Sequence, residues 1–152
     1  MSNALKSVFM FAAIGVALAA SPVSSDARGV TARSGTPVDP ADAVCWGANG
    51  PTMTNNCGGL RAWHIPLILD GSWNGWYNVI VTATAASAAG DVSCRLMSAD
   101  KNGNFVMLPN FVPMPSFNGP SDIGLSVWVP GGGTAMLDCL VNPGSRLHTV
   151  NY

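Results

Sequence analysis

Two short stretches, Val92-Ser93-Cys94-Arg95-Leu96 and Leu137-Asp138-Cys139-Leu140-Val141, constrain the fold more than any other feature of the chain. In an extended chain, alternate side chains point to opposite faces. Cys94 therefore shares a face with Val92 and Leu96, and Cys139 shares one with Leu137 and Val141. Both sulfurs are expected to point into a common core, which pairs Cys94 with Cys139. Cys45 and Cys57 are then left to close the loop CWGANGPTMTNNC. In the chain-entropy description the long bridge contributes about 4 kcal/mol and the short one about 3 kcal/mol. Both are large beside a total stability of ~5–15 kcal/mol. Zinc is the competing use of four cysteines, but no Cys-x-x-Cys pair occurs and His64 and His148 sit apart from the cysteines.

The same alternation marks about seven short strands. They are expected over Ala62–Leu69, Trp76–Thr84, Val92–Ser98, Phe105–Leu108, Ile123–Val129, Thr134–Val141 and Arg146–Tyr152. Pro66 has no N–H to give to a ladder, so the first of these is expected at an edge or a bulge. All eight acidic residues are Asp, Glu is absent, and Lys101 is the only lysine beyond the N-terminal segment. Glu and Lys are the residues that usually cover exposed helix faces. Turn residues instead recur every few positions between the strands, and the fold class is an all-β antiparallel β-sandwich. The Pro-rich segment PNFVPMPSFNGPSD is expected to carry the chain from one sheet to the other.

The N-terminus has a polar start with Lys6, an apolar run from Val8 to Ala20, and small residues at Ala17 and Ala19. This is the pattern of a cleaved signal peptide over residues 1–20, too short for a membrane span of ~20 apolar residues. The protein is therefore expected to be secreted, periplasmic or extracellular, with no membrane association once the signal is removed. Residues 21–43 are small, polar and punctuated by proline, and read as a flexible leader ahead of a disulfide-bonded domain at 44–152.

The stretch Asp70-Gly71-Ser72-Trp73-Asn74-Gly75-Trp76-Tyr77 carries the sharpest local question. Asn74-Gly75 is a strong signal for a two-residue hairpin turn. Such a turn sets Trp73 against Trp76 and Leu69 against Ile80, all on one buried face, with no ligand required. In the other reading the rings are exposed and stack on sugar. Trp73, Trp76 and Tyr77 then form the platform, and Asn74 and Asn78 supply hydrogen bonds. Phe111, Met114 and Phe117 admit two uses, as a lid over an open edge of the sandwich or as an apolar patch for a partner.

Other chemistry finds little support. No Gly-x-Ser-x-Gly or His-Glu-x-x-His occurs. Asp70, Asp91, Asp100 and Asp122 fall at expected turns, where Asp bonds local backbone. Asp138, out of phase with Cys139, is expected to face solvent, and His64 and His148 to be half-buried and hydrogen-bonded. Asp100-Lys101-Asn102-Gly103-Asn104 lacks the distal acid of a calcium loop and reads as a turn. No cofactor or metal is expected, and the near-neutral charge with scattered Arg excludes a nucleic-acid surface. The sequence thus reads as a secreted, non-catalytic binding or surface accessory module whose partner is a polysaccharide or a protein of the cell envelope or exterior. One alternative is a structural module that assembles through the edge near Pro66; a small secreted hydrolase is the more remote one.

Overall fold

The computed structural model describes residues 28–69 and 74–152. The expected signal peptide, the first part of the leader, Asp70 and Trp73 lie outside them. In chain order the strands are β1 (Gly29–Thr31), β2 (Thr36–Pro37), β3 (Trp46–Asn49), β4 (Thr52–Asn55), β5 (Arg61–Leu67) and β6 (Gly75–Thr84). They continue with β7 (Val92–Ala99), β8 (Phe105–Met107), β9 (Val112–Pro113), β10 (Pro120–Val129), β11 (Thr134–Val141) and β12 (Arg146–Asn151).

The strands form two six-stranded sheets. Sheet A runs β10-β6-β12-β4-β3, with β1 also on β12; sheet B runs β2-β5-β11-β7-β8, with β9 also on β7. Every strand pairing among the described residues is antiparallel. The core lies between the sheets. Val79, Val81 and Ala83 of β6 and Ile123, Leu125 and Val127 of β10 face Ile65 and Leu67 of β5, Leu96 of β7 and Leu137 of β11. The two-sheet antiparallel sandwich is the expected fold class, and each of the seven expected strands is present. The Pro-rich segment does cross between sheets, from β8 and β9 in sheet B to β10 in sheet A.

Both expected disulfides are formed, Cys45–Cys57 and Cys94–Cys139. Cys94 and Cys139 are register partners on β7 and β11, both fully buried, as strand phase requires.

Three expectations are corrected. Residues 28–43 are not a flexible leader, because β1 adds to β12 and β2 to β5. Ala32 between them is buried, and its carbonyl accepts the Trp63 indole N–H at 2.8 Å. Trp63 would otherwise bury an unpaired donor, so the segment completes the core. Asp122 lies not at a turn but within β10. Lastly, Asn74-Gly75 does not turn a hairpin: β5 belongs to sheet B and β6 to sheet A, and the chain crosses the sandwich between them. The hairpin register would have buried Trp76 and Ile80. The strand instead buries its β-branched and small set, Val79, Val81 and Ala83, and a one-residue change of phase turns Trp76 and Ile80 outward.

Candidate functional site

The outward face of sheet A is built by β6 and β10, whose even-numbered residues share it. Register places Trp76 opposite Trp128, Asn78 opposite Ser126, Ile80 opposite Gly124 and Thr82 opposite Asp122. Trp76 is 61% exposed and Trp128 half-buried. In the next row Ser126 Oγ donates to Asn78 Oδ1 at 2.7 Å. That bond fixes the carboxamide and leaves its NH2 group to donate outward. Gly124 presents no side chain, and nothing lies within 4 Å of where a Cβ would stand, so the sheet is open beside Ile80. Thr82 Oγ1 donates to Asp122 Oδ1 at 2.8 Å in the row beyond. From the tryptophan row to this one is about 20 Å of strand.

The face continues across β12, where Thr149 pairs with Thr82 and Asn151 with Ile80. At its far end His148 Nε2 lies 2.7 Å from Thr84 Oγ1. Burial, aided by the Arg146 charge, holds the His148 pKa below its ordinary 6.5. The hydroxyl–imidazole contact keeps this corner polar, beside the exposed Arg146 that is the register partner of Thr84.

Of the expected site residues, Trp76 and Asn78 come together on this face, with Asn74 exposed just before β6. Tyr77 does not join them: its phase turns it inward, where it packs against the core. Trp73 is outside the described residues. Trp128 and Ser126 were not anticipated. The signal for Trp128 is its place between Val127 and Val129, both buried, which forces its indole outward.

A second concavity lies on the outward face of sheet B. It encloses about 450 Å³ between Val38, Phe105, Leu108, Phe111 and Met136, above Asp138. Asp138 points away from the core, as its phase requires, yet is only 4% exposed, which corrects the expectation of a solvent-facing carboxylate. Its cover comes from Arg95, His64 and the surrounding apolar side chains. Arg95 Nε and Nη2 donate to Asp138 Oδ2 at 2.9 and 2.7 Å, and His64 Nε2 lies 3.2 Å from Oδ1. The Phe111 ring sits 4.3 Å from the guanidinium carbon of Arg95. Phe111 thus covers an ion pair, Met114 is in the core, and Phe117 is exposed; the three aromatic and methionine side chains do not act as one lid or one patch. The groove lining contains a single carboxylate, Asp138, and it is taken up by Arg95 and His64.

The remaining carboxylates serve local structure. Asp100 accepts from the Asn102 and Asn104 backbones at 2.8 and 2.9 Å, and Gly103 takes a positive φ of 83° in the same turn. Bonds from the Asn104 side chain and backbone hold the Asp100 pKa below its ordinary value. Asp91 is opposed by burial but receives Ala88, Ser87 and Asn142 donors, which outweigh it and lower its pKa. Among the described residues, no three His, Cys, Asp or Glu side chains gather to hold a metal.

No protein-family model and no curated protein sequence matches the chain. Solved structures do resemble its fold. The C-terminal CBM6 of the marine laminarinase LamC from Zobellia galactanivorans superposes with a TM-score of 0.53 at 14% identity, over 83% of this chain and 98% of that one. The CBM35 from Paenibacillus barcinonensis gives 0.50 at 14% identity, over 81% and 95%. A family 35 carbohydrate-binding module from Clostridium thermocellum gives 0.50 at 11% identity, over 84% and 97%. At such identities the likeness is one of fold: a β-sandwich of the kind these modules adopt.

Proposed function

We propose that this protein is a secreted, non-catalytic carbohydrate-binding module, and that its binding surface is the outward face of β6 and β10. The observation that carries the reading is the exposed Trp76 set directly opposite Trp128, with the Asn78 carboxamide in the next row. Both indoles stand on strands locked to the core by their inward neighbours, so the face that carries them is established before any ligand arrives. A pyranose has an apolar C–H face that stacks on indole and a rim of hydroxyls that seeks donors and acceptors. The Trp row answers the first need. Asn78, Asp122 and Thr82, with Asn74 and Asn151 at the margins, answer the second. The length of the face suits a chain of several linked sugars better than a single ring.

The likeness to solved carbohydrate-binding modules supports this reading at the level of fold. Secretion is supported by the signal-like N-terminus and by two formed disulfides, which persist in oxidising compartments. No helix among the described residues is long and apolar enough to cross a membrane.

The test is depletion of the mature protein from solution by a panel of insoluble polysaccharides. Wild type, Trp76→Ala, Trp128→Ala and Met136→Ala are run side by side. The reading predicts binding to at least one polymer, lost in both tryptophan variants and kept in Met136→Ala, which alters only the groove on sheet B. Binding that survives both tryptophan substitutions overturns the site, and no binding to any polymer overturns the function.

A further inference from the structure

Strand β10 is one margin of sheet A. It pairs with β6 along one side, and no described strand pairs along the other. The alternation of ladder bonds shows which of its backbone groups are left over. Arg28 and Tyr152 exchange both backbone bonds, at 2.7 and 2.8 Å. In an antiparallel pair, bonded and non-bonded positions alternate, so Thr149 and Asn151 turn toward β6, and Thr82 and Ile80 turn to meet them. Their partners on β10, Asp122 and Gly124, therefore direct N–H and C=O outward, and Ser126 and Trp128 follow in the same phase. The Trp128 N–H bears this out: it points away from β6 to Met107 Sδ, 3.3 Å away. Pro120, also in this phase, has no N–H. The margin thus offers three outward N–H groups, from Asp122, Gly124 and Ser126, closed off by Met107 at one end and a proline at the other.

A second observation falls on the same margin. Strands β8 and β9 pack beside β10, and Val106 of β8, Val112 of β9 and Phe117 of the chain leading to β10 are exposed. Val112 is a register partner of Cys94, so it stands on the core side of sheet B, yet it is 41% exposed. The slot between the two sheets is therefore open along this edge. The opposite case is β5, whose edge is partly covered by β2 and interrupted by Pro66. An uncovered, regular edge strand flanked by apolar side chains is a template for another strand.

We propose that this margin is a self-association surface, on which a second copy of the chain lays its own β10 antiparallel about a two-fold axis at Gly124. The sequence of the strand is self-complementary about that point. Gly124 meets Gly124 of the second copy, Asp122 meets its Ser126, and Ser126 meets its Asp122. Each of these facing pairs exchanges both backbone bonds, using the three free N–H groups of each copy. The carboxylates do not oppose each other; each faces a hydroxyl. At the two ends Pro120 meets Trp128, so the residue with no N–H faces the one whose N–H is already taken by Met107. Beneath the junction Ile123 meets Leu125, and the Val112 and Phe117 side chains of each copy are brought toward the other. Such a two-fold contact closes on itself and does not propagate into a fibre. It would also merge two outward faces into one surface with two tryptophan rows, a consequence for avidity that does not carry the inference.

The test combines sedimentation equilibrium over a wide concentration range with amide hydrogen exchange on the mature protein. A dimer is expected, with the Asp122, Gly124 and Ser126 amides gaining protection as concentration rises while those of Ile123 and Leu125 are protected throughout. Ser126→Lys places an ammonium opposite the second copy's Asp122 and should tighten the dimer. Asp122→Lys combined with Ser126→Lys sets ammonium against ammonium and should weaken it by about tenfold or more. A protein that stays monomeric at millimolar concentration overturns the proposal. So does a dimer indifferent to both charge variants, or one whose protection falls elsewhere, since either would mean association through another face.

Discussion

Trp76 and Trp128 stand directly opposite each other on β6 and β10, on the side of the sheet turned away from the core. Tyr77 beside the one, and Val127 and Val129 beside the other, are turned inward. The two indoles are thus exposed by the same alternation that buries the core.

That contrast can be measured without any ligand. Trp63 is buried and donates to Ala32, whereas Trp76 is mostly solvent-facing. Trp63→Ala should cost about 3–5 kcal/mol. Trp76→Ala should stay within about 0.5 kcal/mol, as exposed substitutions usually do. Urea unfolding of the two variants checks both values, and a large loss from Trp76→Ala would place that ring inside the fold.

The Arg95–Asp138 pair makes a second prediction. Asp138→Ala leaves a largely covered guanidinium without its partner. Breaking a buried pair costs about 3–5 kcal/mol, and the lower end applies because Arg95 keeps some exposure. Replacing both at once, with Arg95→Met and Asp138→Leu, removes the stranded charge and extends the apolar groove. The double variant should recover most of the loss in a chemical-denaturation series.

Stability should fall in two steps as pH is lowered. His148 has a pKa below 6.5 in the folded protein, so the unfolded chain takes up a proton first. Its contribution is intact above 6.5 and is lost as pH drops from there through the lowered folded value. Asp91 has a folded pKa below 3.8, so its contribution is present above 3.8 and lost as pH falls through the lower folded value. His148→Gln should flatten the first step, and Asp91→Asn should reduce the second, to which Asp100 contributes with the same sign. Denaturation midpoints measured across pH 2–8 would show this (a range chosen to bracket both groups).

Gly35 tests whether residues 28–43 belong to the sandwich. A Cβ there would run into the His64 carbonyl, the Trp63 indole nitrogen and the Ile65 side chain. Gly35→Ala should therefore destabilise by about 1–3 kcal/mol, as overpacking does. A neutral effect in thermal melts would return this segment to the status of a leader.

What could be read in the sequence follows from where the physics is local. The main strands and both disulfides were legible because alternation and cysteine phase are carried within a few residues. Strands β1 to β4 were not: they are short and polar, and become strands by pairing with β12, with β5 or with each other. Asn74-Gly75 misled because a turn signal is conditional on its flanking strands pairing, and the core set Val79, Val81 and Ala83 places β6 across the sandwich from β5. Trp76 and Asn78 were nameable as candidates, but their partners Trp128 and Ser126 depend on a register fixed far along the chain. Asp138 escaped for a similar reason. Its outward phase was legible, but the cover over it is assembled from Val38, Phe105, Leu108 and Phe111, which come from separate segments.

The most direct measurement is a two-dimensional NMR titration that follows the indole and backbone N–H signals as a soluble oligosaccharide of the depleting polymer is added. Binding at the outward face of β6 and β10 predicts that the Trp76 and Trp128 signals shift with the ligand while those of Trp46 and Trp63, packed together at 4.6 Å, stay in place. Saturable shifts confined to the Arg95 and Asp138 groove, with Trp76 and Trp128 unmoved, would contradict it.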